Sequence, residues 1–479
     1  MRLEKLCLKN FRGYADSDFT LHPQFNLIVG ENGAGKTSFL EAAAVAVGSW
    51  LLGFRGHDSR NILERDVRNV IEFVERRYRE LPQYPVRITA RGIIQFELAG
   101  RLDIEDGRTY ESGGLSEKSS SSEKIVQWER SVEAAGGKTT RRGANDLKKI
   151  AESMAVGVLN QKPYVLPVIR YFGAGRLWES VRDTTGKALS KHKGKLPAEL
   201  ADDADELEKL LHESKKLSEP FYGYRMSVDK RCNPDDLIRW MGVERRNEID
   251  EEVNSLALRL VYRAIETMLP EIEYARYSIK LRTLVLKYES GEWHTFSELS
   301  DGYRNVVAIA SDLAIKAAML NPQLAEQALQ MTPGVVLIDE LDLHLHPKWQ
   351  RRIIEDLRRT FPLMQFICTT HSPFLIQSLR TGEELIVLDG QPPANLGQMP
   401  IQDIARGVMG AGNTDVSQRY EAMKQAAKDY LEILEEAARS PREAQEEFRH
   451  KLAEAIAPYA NNPAYQAFLE MQRVSKLGE

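Results

Sequence analysis

Gly30-Glu31-Asn32-Gly33-Ala34-Gly35-Lys36-Thr37 places glycine, lysine and a hydroxyl at the spacing G-x-x-x-x-G-K-[ST], which suits the grip of a polyphosphate. Glycines let successive backbone N–H groups turn toward phosphate oxygens, and a helix that starts at the loop adds its positive dipole end. Lys36 would reach the terminal phosphates and the Thr37 hydroxyl would sit on Mg²⁺. The expected nucleotide contacts are therefore Gly30, Glu31, Asn32, Gly33, Ala34, Gly35, Lys36, Thr37 and Ser38. They imply binding of ATP or GTP.

A second group of residues lies far downstream. Gly334-Val335-Val336-Leu337-Ile338 is an apolar run that ends in Asp339 and Glu340. Asp339 is placed to hold Mg²⁺, and Glu340 to take a proton from an attacking water. Residues 365–369 form another apolar run, leading into Thr370-His371-Ser372-Pro373. His371, at the end of a strand beside the Asp-Glu strand, is placed to sense the γ-phosphate. Lys36, Glu340 and His371 are thus the expected catalytic residues, with Thr37 and Asp339 as the metal ligands.

Between them, Leu299-Ser300-Asp301-Gly302-Tyr303-Arg304 opens a helix whose apolar positions are Val306, Ile309, Ala310, Leu313 and Ala317. A Leu-Ser-x-Gly turn at a helix start is a second anion site. It resembles the signature loop of ABC-type ATPases, in which a Ser and a Gly cap the γ-phosphate of the opposite subunit. Asp301 replaces the usual Gly, and Tyr303-Arg304 stands where Gln is commoner.

With these motifs, the chain resembles the ATPase group related to RecF, SMC and OLD proteins. Leu6-Cys7-Leu8-Lys9-Asn10-Phe11-Arg12-Gly13-Tyr14 is similar to that group's first strand and basic turn, which would put Asn10 and Arg12 near the nucleotide. Leu341-Asp342-Leu343-His344-Leu345-His346-Pro347 is similar to the subunit-crossing D-loop, with Asp342 at the crossing position. Within the group, the run from Leu166 to Trp178, the Leu-Ser-Asp-Gly-Tyr-Arg turn and residues 404–420 resemble the PtuA family, the ATPase subunit of Septu-type antiphage systems, also found beside some retrons. No residue stands out as the Q-loop glutamine.

The resemblance implies an α/β fold: an ABC-type P-loop ATPase head whose two lobes, a mixed sheet flanked by helices, close around ATP and Mg²⁺. It implies a homodimer or higher homo-oligomer in which Ser300, Gly302 and Asp342 complete the partner's site. It further implies a separately encoded HNH-type nuclease (PtuB in that family) under ATP control, and contact with DNA or with a retron reverse transcriptase and its RNA–DNA. Two other classes stay open: a RecF-like DNA-repair ATPase and an OLD-like ATP-dependent nuclease.

The elements that must position these residues are legible in outline. Residues 25–29 read as a buried strand before the loop, and residues 39–47 as a helix after it. The apolar stretch 42–54 reads as a buried core helix, too short to span a bilayer. Alternation over 86–104 reads as antiparallel strands, 150–159 as a helix, 164–172 as a buried strand, 256–269 as a helix, and 277–281 with 284–288 as paired strands. Residues 106–122 read as a polar loop, and 199–217 as a charged helix without sustained heptads. The expected division is 1–175 as a first ATPase lobe, 176–290 as a helical insertion, 291–389 as a second lobe and 390–479 as a helical, partner-binding tail. In that tail Tyr420, Met423, Ala427, Tyr430, Leu431 and Leu434 share one face. Ser440-Pro441-Arg442-Glu443 is a capping box, and Phe448, Leu452 and Ile456 line the helix after it.

Composition excludes little else. The 65 basic and 70 acidic side chains leave a net charge of −5, so any nucleic-acid contact must be local. Cys7, Cys232 and Cys368 read as reduced thiols of a cytoplasmic protein without a leader or membrane anchor. His344 and His346 read as structural. Asp103, Glu105 and Asp106 read as a solvated hairpin end. Lys187, Lys191, Lys193, Lys195, Arg141 and Arg142 read as solvated charges.

Overall fold

In the computed structural model the described residues are 1–57, 59–74, 77–96, 123–176 and 221–388, with 401, 403, 404, 428–430, 432 and 471. The chain divides into two compact units, Met1–Ile404 and Ala405–Glu479. Of the second, only residues 428–430, 432 and 471 are described, all helical. The tail faces, apart from Tyr430, and the capping box lie outside the described residues. So do the loop 106–122, the charged helix 199–217, Leu177, Trp178, the acidic trio 103–106 and the four lysines between 187 and 195.

Alternation interrupted by a register shift between Leu3 and Lys5 builds the first sheet. β1 (Arg2–Phe11) buries Leu3, Leu6, Leu8 and Phe11. It pairs antiparallel with β2 (Tyr14–Thr20) and with β6 (Val86–Gln95), and β6 pairs with β7 (Glu123–Val132). The strand order is β2-β1-β6-β7, and β4 (Asn69–Val74) with β5 (Arg77–Pro82) forms a separate ribbon. Strand β7 was not anticipated, although Val126, Trp128, Arg130 and Val132 repeat with period two and are all buried. A buried arginine at an inward position hides the pattern. Its guanidinium is satisfied by the carbonyl of Thr140 at 2.9 Å and by Asn61 Oδ1 at 3.0 Å.

The second sheet is parallel. Its order is β14-β3-β13-β12-β8, from β3 (Phe25–Val29), β8 (Val168–Phe172), β12 (Gly334–Ile338), β13 (Met364–Thr369) and β14 (Leu385–Val387). Every residue of β3, β8, β12 and β13 is buried, as expected of parallel strands covered on both faces. Helix α1 (Lys36–Gly48) touches strands of both sheets, which explains why its sequence is apolar almost all round.

Several expectations shift at their edges, among them the helix expected over 150–159, which begins at Asn145. The core helix expected over 42–54 ends at Gly48, and Ser49–Gly53 is a 3₁₀ turn. Gly53 there lies against helix α2 (Asn145–Leu159), where a Cβ would come within 2.5 Å of Ala151 Cβ. Strand β8 begins at Val168 rather than 164, because Pro167 precedes it and Asn321 takes both backbone groups of Leu166, at 2.7 and 2.9 Å. The hairpin is displaced toward the N-terminus, as β9 (Ile272–Ser278) and β10 (Thr283–Tyr288), with β11 (Trp293–Thr295) added. Ile279 and Leu281, which suggested a strand, are exposed in the turn.

Three longer helices complete the first unit. α3 (Pro234–Asp250) is capped by Asn233, which accepts from the Asp235 N–H, and carries Pro at its first position. α4 (Leu256–Met268), capped by Ser255, packs on α5 (Asp301–Leu320). No helix among the described residues is long and apolar enough to cross a membrane.

One buried side chain ties the sheets together. Gln365 of β13 accepts from the Leu3 N–H at 2.8 Å and donates to the carbonyls of Leu3 at 2.8 Å and His22 at 2.9 Å. Gln365→Leu should therefore cost about 2 kcal/mol or more, since it strands buried backbone groups. The check is a chemical-denaturation midpoint compared with wild type.

Candidate nucleotide site

The turn between β3 and α1 is shaped by two glycines. Gly33 has φ 91° and Gly35 φ 102°, the left-handed region that side chains avoid. Gly35 is also crowded. A Cβ there would lie 3.0 Å from the Tyr14 hydroxyl, which donates to the Gly35 carbonyl at 3.1 Å. Lys36 Nζ folds back over the loop and donates to the carbonyls of Gly30 at 2.8 Å and Glu31 at 2.9 Å. Glu31, Asn32, Gly33 and Thr37 are exposed, while Gly30, Ala34, Gly35 and Ser38 are half-buried. The first turn of α1 has neither a side-chain cap nor an acidic residue. Its N–H groups suit phosphate oxygens.

The carboxylates reach the same place because β13 lies between β3 and β12, with Ile338 opposite Cys368. Asp339 Oδ1 accepts from Thr37 Oγ1 at 3.4 Å and from Thr369 Oγ1 at 2.6 Å. Thr369 Oγ1 in turn accepts the Glu340 N–H at 2.8 Å. Glu340 has φ 50°, unusual for a residue with a side chain, and is half-buried, whereas Asp339 is buried. Asp342 Oδ1 accepts from Thr370 Oγ1 at 2.5 Å and from the His371 N–H at 3.3 Å, leaving the His371 side chain exposed at the strand end. Thr37 and Asp339 present converging hard oxygens, a donor set that fits Mg²⁺.

The signature turn makes a separate group of contacts. Ser300 is the exposed N-cap of α5, and its carbonyl accepts the Arg304 N–H at 3.0 Å. Gly302 is pressed on the loop after Glu340, since a Cβ there would meet the His344 carbonyl at 2.6 Å. Arg304 pairs with Asp301 at 3.4 Å and with the Ser297 carbonyl. Asn10 donates to the Pro85 carbonyl at 3.1 Å, and Arg12 grips Asp66 Oδ1 at 2.6 and 2.8 Å. Both sit close in sequence to Tyr14, which touches the phosphate loop. His346 accepts the Lys348 N–H at 3.2 Å and so caps the short helix Pro347–Gln350.

Several residues of this region escaped the sequence reading. Thr369 and Thr370 join the carboxylates to β13. Arg176, buried beyond the end of β8, donates to the carbonyls of Gly173 at 2.9 Å, Asp339 at 2.7 Å and Glu340 at 3.2 Å, and to Asn305 Oδ1 at 2.6 Å. Burial pulls its pKa down to about 10, so it stays charged at neutral pH. Its partners are mostly backbone, which leaves no motif to read. Cys368 and Cys232 are buried thiols whose pKa burial raises, in the second case to about 12.

The chain is similar to known proteins over parts of its length. The AAA domain family matches residues 5–267, more than half of the 479 residues, and a second AAA-domain family matches residues 236–377. The "Retron Vc95 probable ATPase" of Vibrio cholerae serotype O1 biovar El Tor is 35% identical over 143 residues, which cover 30% of this chain and 27% of that one. "Septu protein PtuA" of Bacillus mycoides (strain KBAB4) is 37% identical over 102 residues, 21% of this chain and 14% of that one. The matched stretches thus span about a quarter or less of these relatives. Among solved structures, the SMC head domain from Thermotoga maritima covers 80% of this chain and 94% of its own at 14% identity, with a TM-score of 0.37. The chain belongs to the AAA-domain family of ATPases and is a homologue of the retron ATPases and of PtuA.

Proposed function

We propose that this chain is the ATP-hydrolysing regulatory subunit of a cytoplasmic antiphage defence complex, dimeric through shared nucleotide sites and controlling a separately encoded HNH-type nuclease. The observation that carries the ATPase reading is the hydroxyl relay Thr37–Asp339–Thr369–Glu340 beside an uncapped glycine loop. The defence reading is supported by homology to proteins named for Septu and retron systems.

In this reading Lys36 and the loop N–H groups neutralise the phosphates, while Thr37 and Asp339 would hold Mg²⁺. Bound Mg²⁺ would supply positive charge that offsets the phosphates. Glu340 takes a proton from water as the water oxygen bonds to the γ-phosphorus and the bond to the ADP oxygen breaks. His371, held by its backbone N–H to Asp342, touches the γ-phosphate. Ser300 and Gly302 cap that phosphate on a second copy of the chain, an isologous arrangement that closes on itself, with Asp342 at the crossing. ATP then favours the closed dimer, and hydrolysis reopens it.

Glu340→Gln should lower turnover by at least about a hundredfold, a general-base loss. It should still bind ATP and accumulate as a nucleotide-bound dimer in size-exclusion light scattering. Loss of ATP binding in that variant would remove Glu340 from the base role.

The shared site predicts complementation. Lys36→Ala and Ser300→Ala, each inactive alone, should regain a fraction of turnover when mixed, through the one site per mixed dimer that carries both residues. Steady-state phosphate release across a concentration series reads this, and a flat zero would contradict the dimer.

Cells carrying the gene with its native neighbours should resist phage in a plaque assay, and Lys36→Ala should abolish the protection. DNA-stimulated ATP hydrolysis with no effect on infection would instead favour the repair-type ATPase.

A further inference from the structure

We propose that Arg176 is a positioning residue that holds Glu340 in its working conformation and ties it, through Asn305, to the helix opened by Ser300 and Gly302. This rests on the reading of Glu340 as the base.

Glu340 has φ 50°, a backbone state that persists in a residue with a side chain only where its surroundings enforce it. Both of its backbone polar groups are engaged. Thr369 Oγ1 takes the N–H at 2.8 Å, and Arg176 donates to the carbonyl at 3.2 Å. Arg176 also donates to the preceding carbonyl, Asp339, at 2.7 Å. One rigid guanidinium therefore spans the peptide that carries the base. A side chain that lacked the fork would leave the Glu340 carbonyl with the Leu343 N–H alone, at 3.1 Å, and the Asp339 carbonyl without this donor.

The same guanidinium donates from Nε to Asn305 Oδ1 at 2.6 Å. Asn305 lies in the first part of α5, close after Gly302, and its amide donates to the Leu343 carbonyl at 3.3 Å. Arg176 and Asn305 are each only 2% exposed. Gly302 meanwhile abuts the His344 carbonyl. The start of α5 thus reaches the base through Arg176 and touches the adjoining loop directly. A shift of α5 moves the acceptor of a planar, five-donor group whose other donors hold Asp339 and Glu340. The hydrogen-bond partners of Arg176 are three carbonyls and an amide. A buried guanidinium in such company serves placement more than net stability.

The test compares Arg176→Lys, which keeps the charge and loses the fork, with Asn305→Ala, which cuts the links from α5 to Arg176 and to the Leu343 carbonyl and leaves the other donors of Arg176 in place. Arg176→Lys should lower kcat by roughly 10- to 100-fold, the usual effect of losing an outer support, with KM for ATP unchanged within about twofold. Asn305→Ala should lower kcat in the same direction, with binding of a fluorescent ATP analogue intact. A merely structural role would weaken binding and kcat together.

The reading of the base is separated from the link by repeating both changes in Glu340→Gln. There the residual single-turnover rate should fall no further than about twofold, because the supported group is already disabled. An undiminished additional loss in that background, or wild-type kcat in Asn305→Ala, overturns the link and leaves the base standing. Wild-type turnover of Glu340→Gln alone overturns the base. Should Arg176→Lys lack a cooperative melt, Asn305→Ala decides.

Discussion

A single hydroxyl, Thr369 Oγ1, stands between the two carboxylates on which the site depends. It has one proton to give, and it gives it to Asp339 at 2.6 Å, so its oxygen is free to accept the Glu340 N–H at 2.8 Å. That exchange is possible only because β13 lies between the strand of the phosphate loop and the strand of the carboxylates. Parallel strands bring their C-terminal ends to one edge, where an open α/β sheet binds ligands. Thr37, delivered by α1 from the other side, then meets the same carboxylate oxygen.

This arrangement explains what was readable from the sequence and what was not. The phosphate loop is contiguous, and its chemistry demands glycines at fixed spacing, so it is visible without a fold. The apolar runs of β3, β12 and β13 are visible because both faces of a parallel sheet are covered. Strand β7 was missed because Arg130 occupies an inward position and hides the alternation. The hairpin β9–β10 was displaced because Ile279 and Leu281 are apolar yet lie in its turn. Arg176 lies in the run from Leu166 to Trp178 that resembles PtuA, but its role left no signal, since among the described residues three of its four acceptors are backbone carbonyls, groups that every residue carries. Thr369 and Thr370 were passed over as the ordinary end of a strand, although each bonds a carboxylate.

Within one chain the two anion sites are joined by an indirect connection. The contacts of the phosphate loop run to Tyr14 and Asp339, and those of the signature turn to Ser297, His344 and, through Asn305, Leu343. The short loop after Glu340 lies between them. That loop and Arg176 both connect the carboxylate residues to α5.

Two buried arginines, one in β8 and one just past it, hold α5 through partners of different strength. Arg170 of β8 donates to Asp312 at 2.8 Å, with both groups largely buried, and also to the carbonyls of Met226, Asp229 and Arg231. Arg176, just past the same strand, holds α5 through the neutral amide of Asn305. Breaking a buried ion pair costs about 3–5 kcal/mol, whereas one hydrogen bond to a charged group contributes about 1.5–3 kcal/mol. Asn305 and Asp312 are two turns apart on the helix, a lever of about 10 Å at 1.5 Å per residue. The hold on α5 is therefore stronger at Asp312 than at Asn305, and Lys316 adds to it by donating to the carbonyls of Gly223 and Arg225. Asn305 is the point where the weaker of these two bonds meets the side chain that also holds the Asp339 and Glu340 carbonyls.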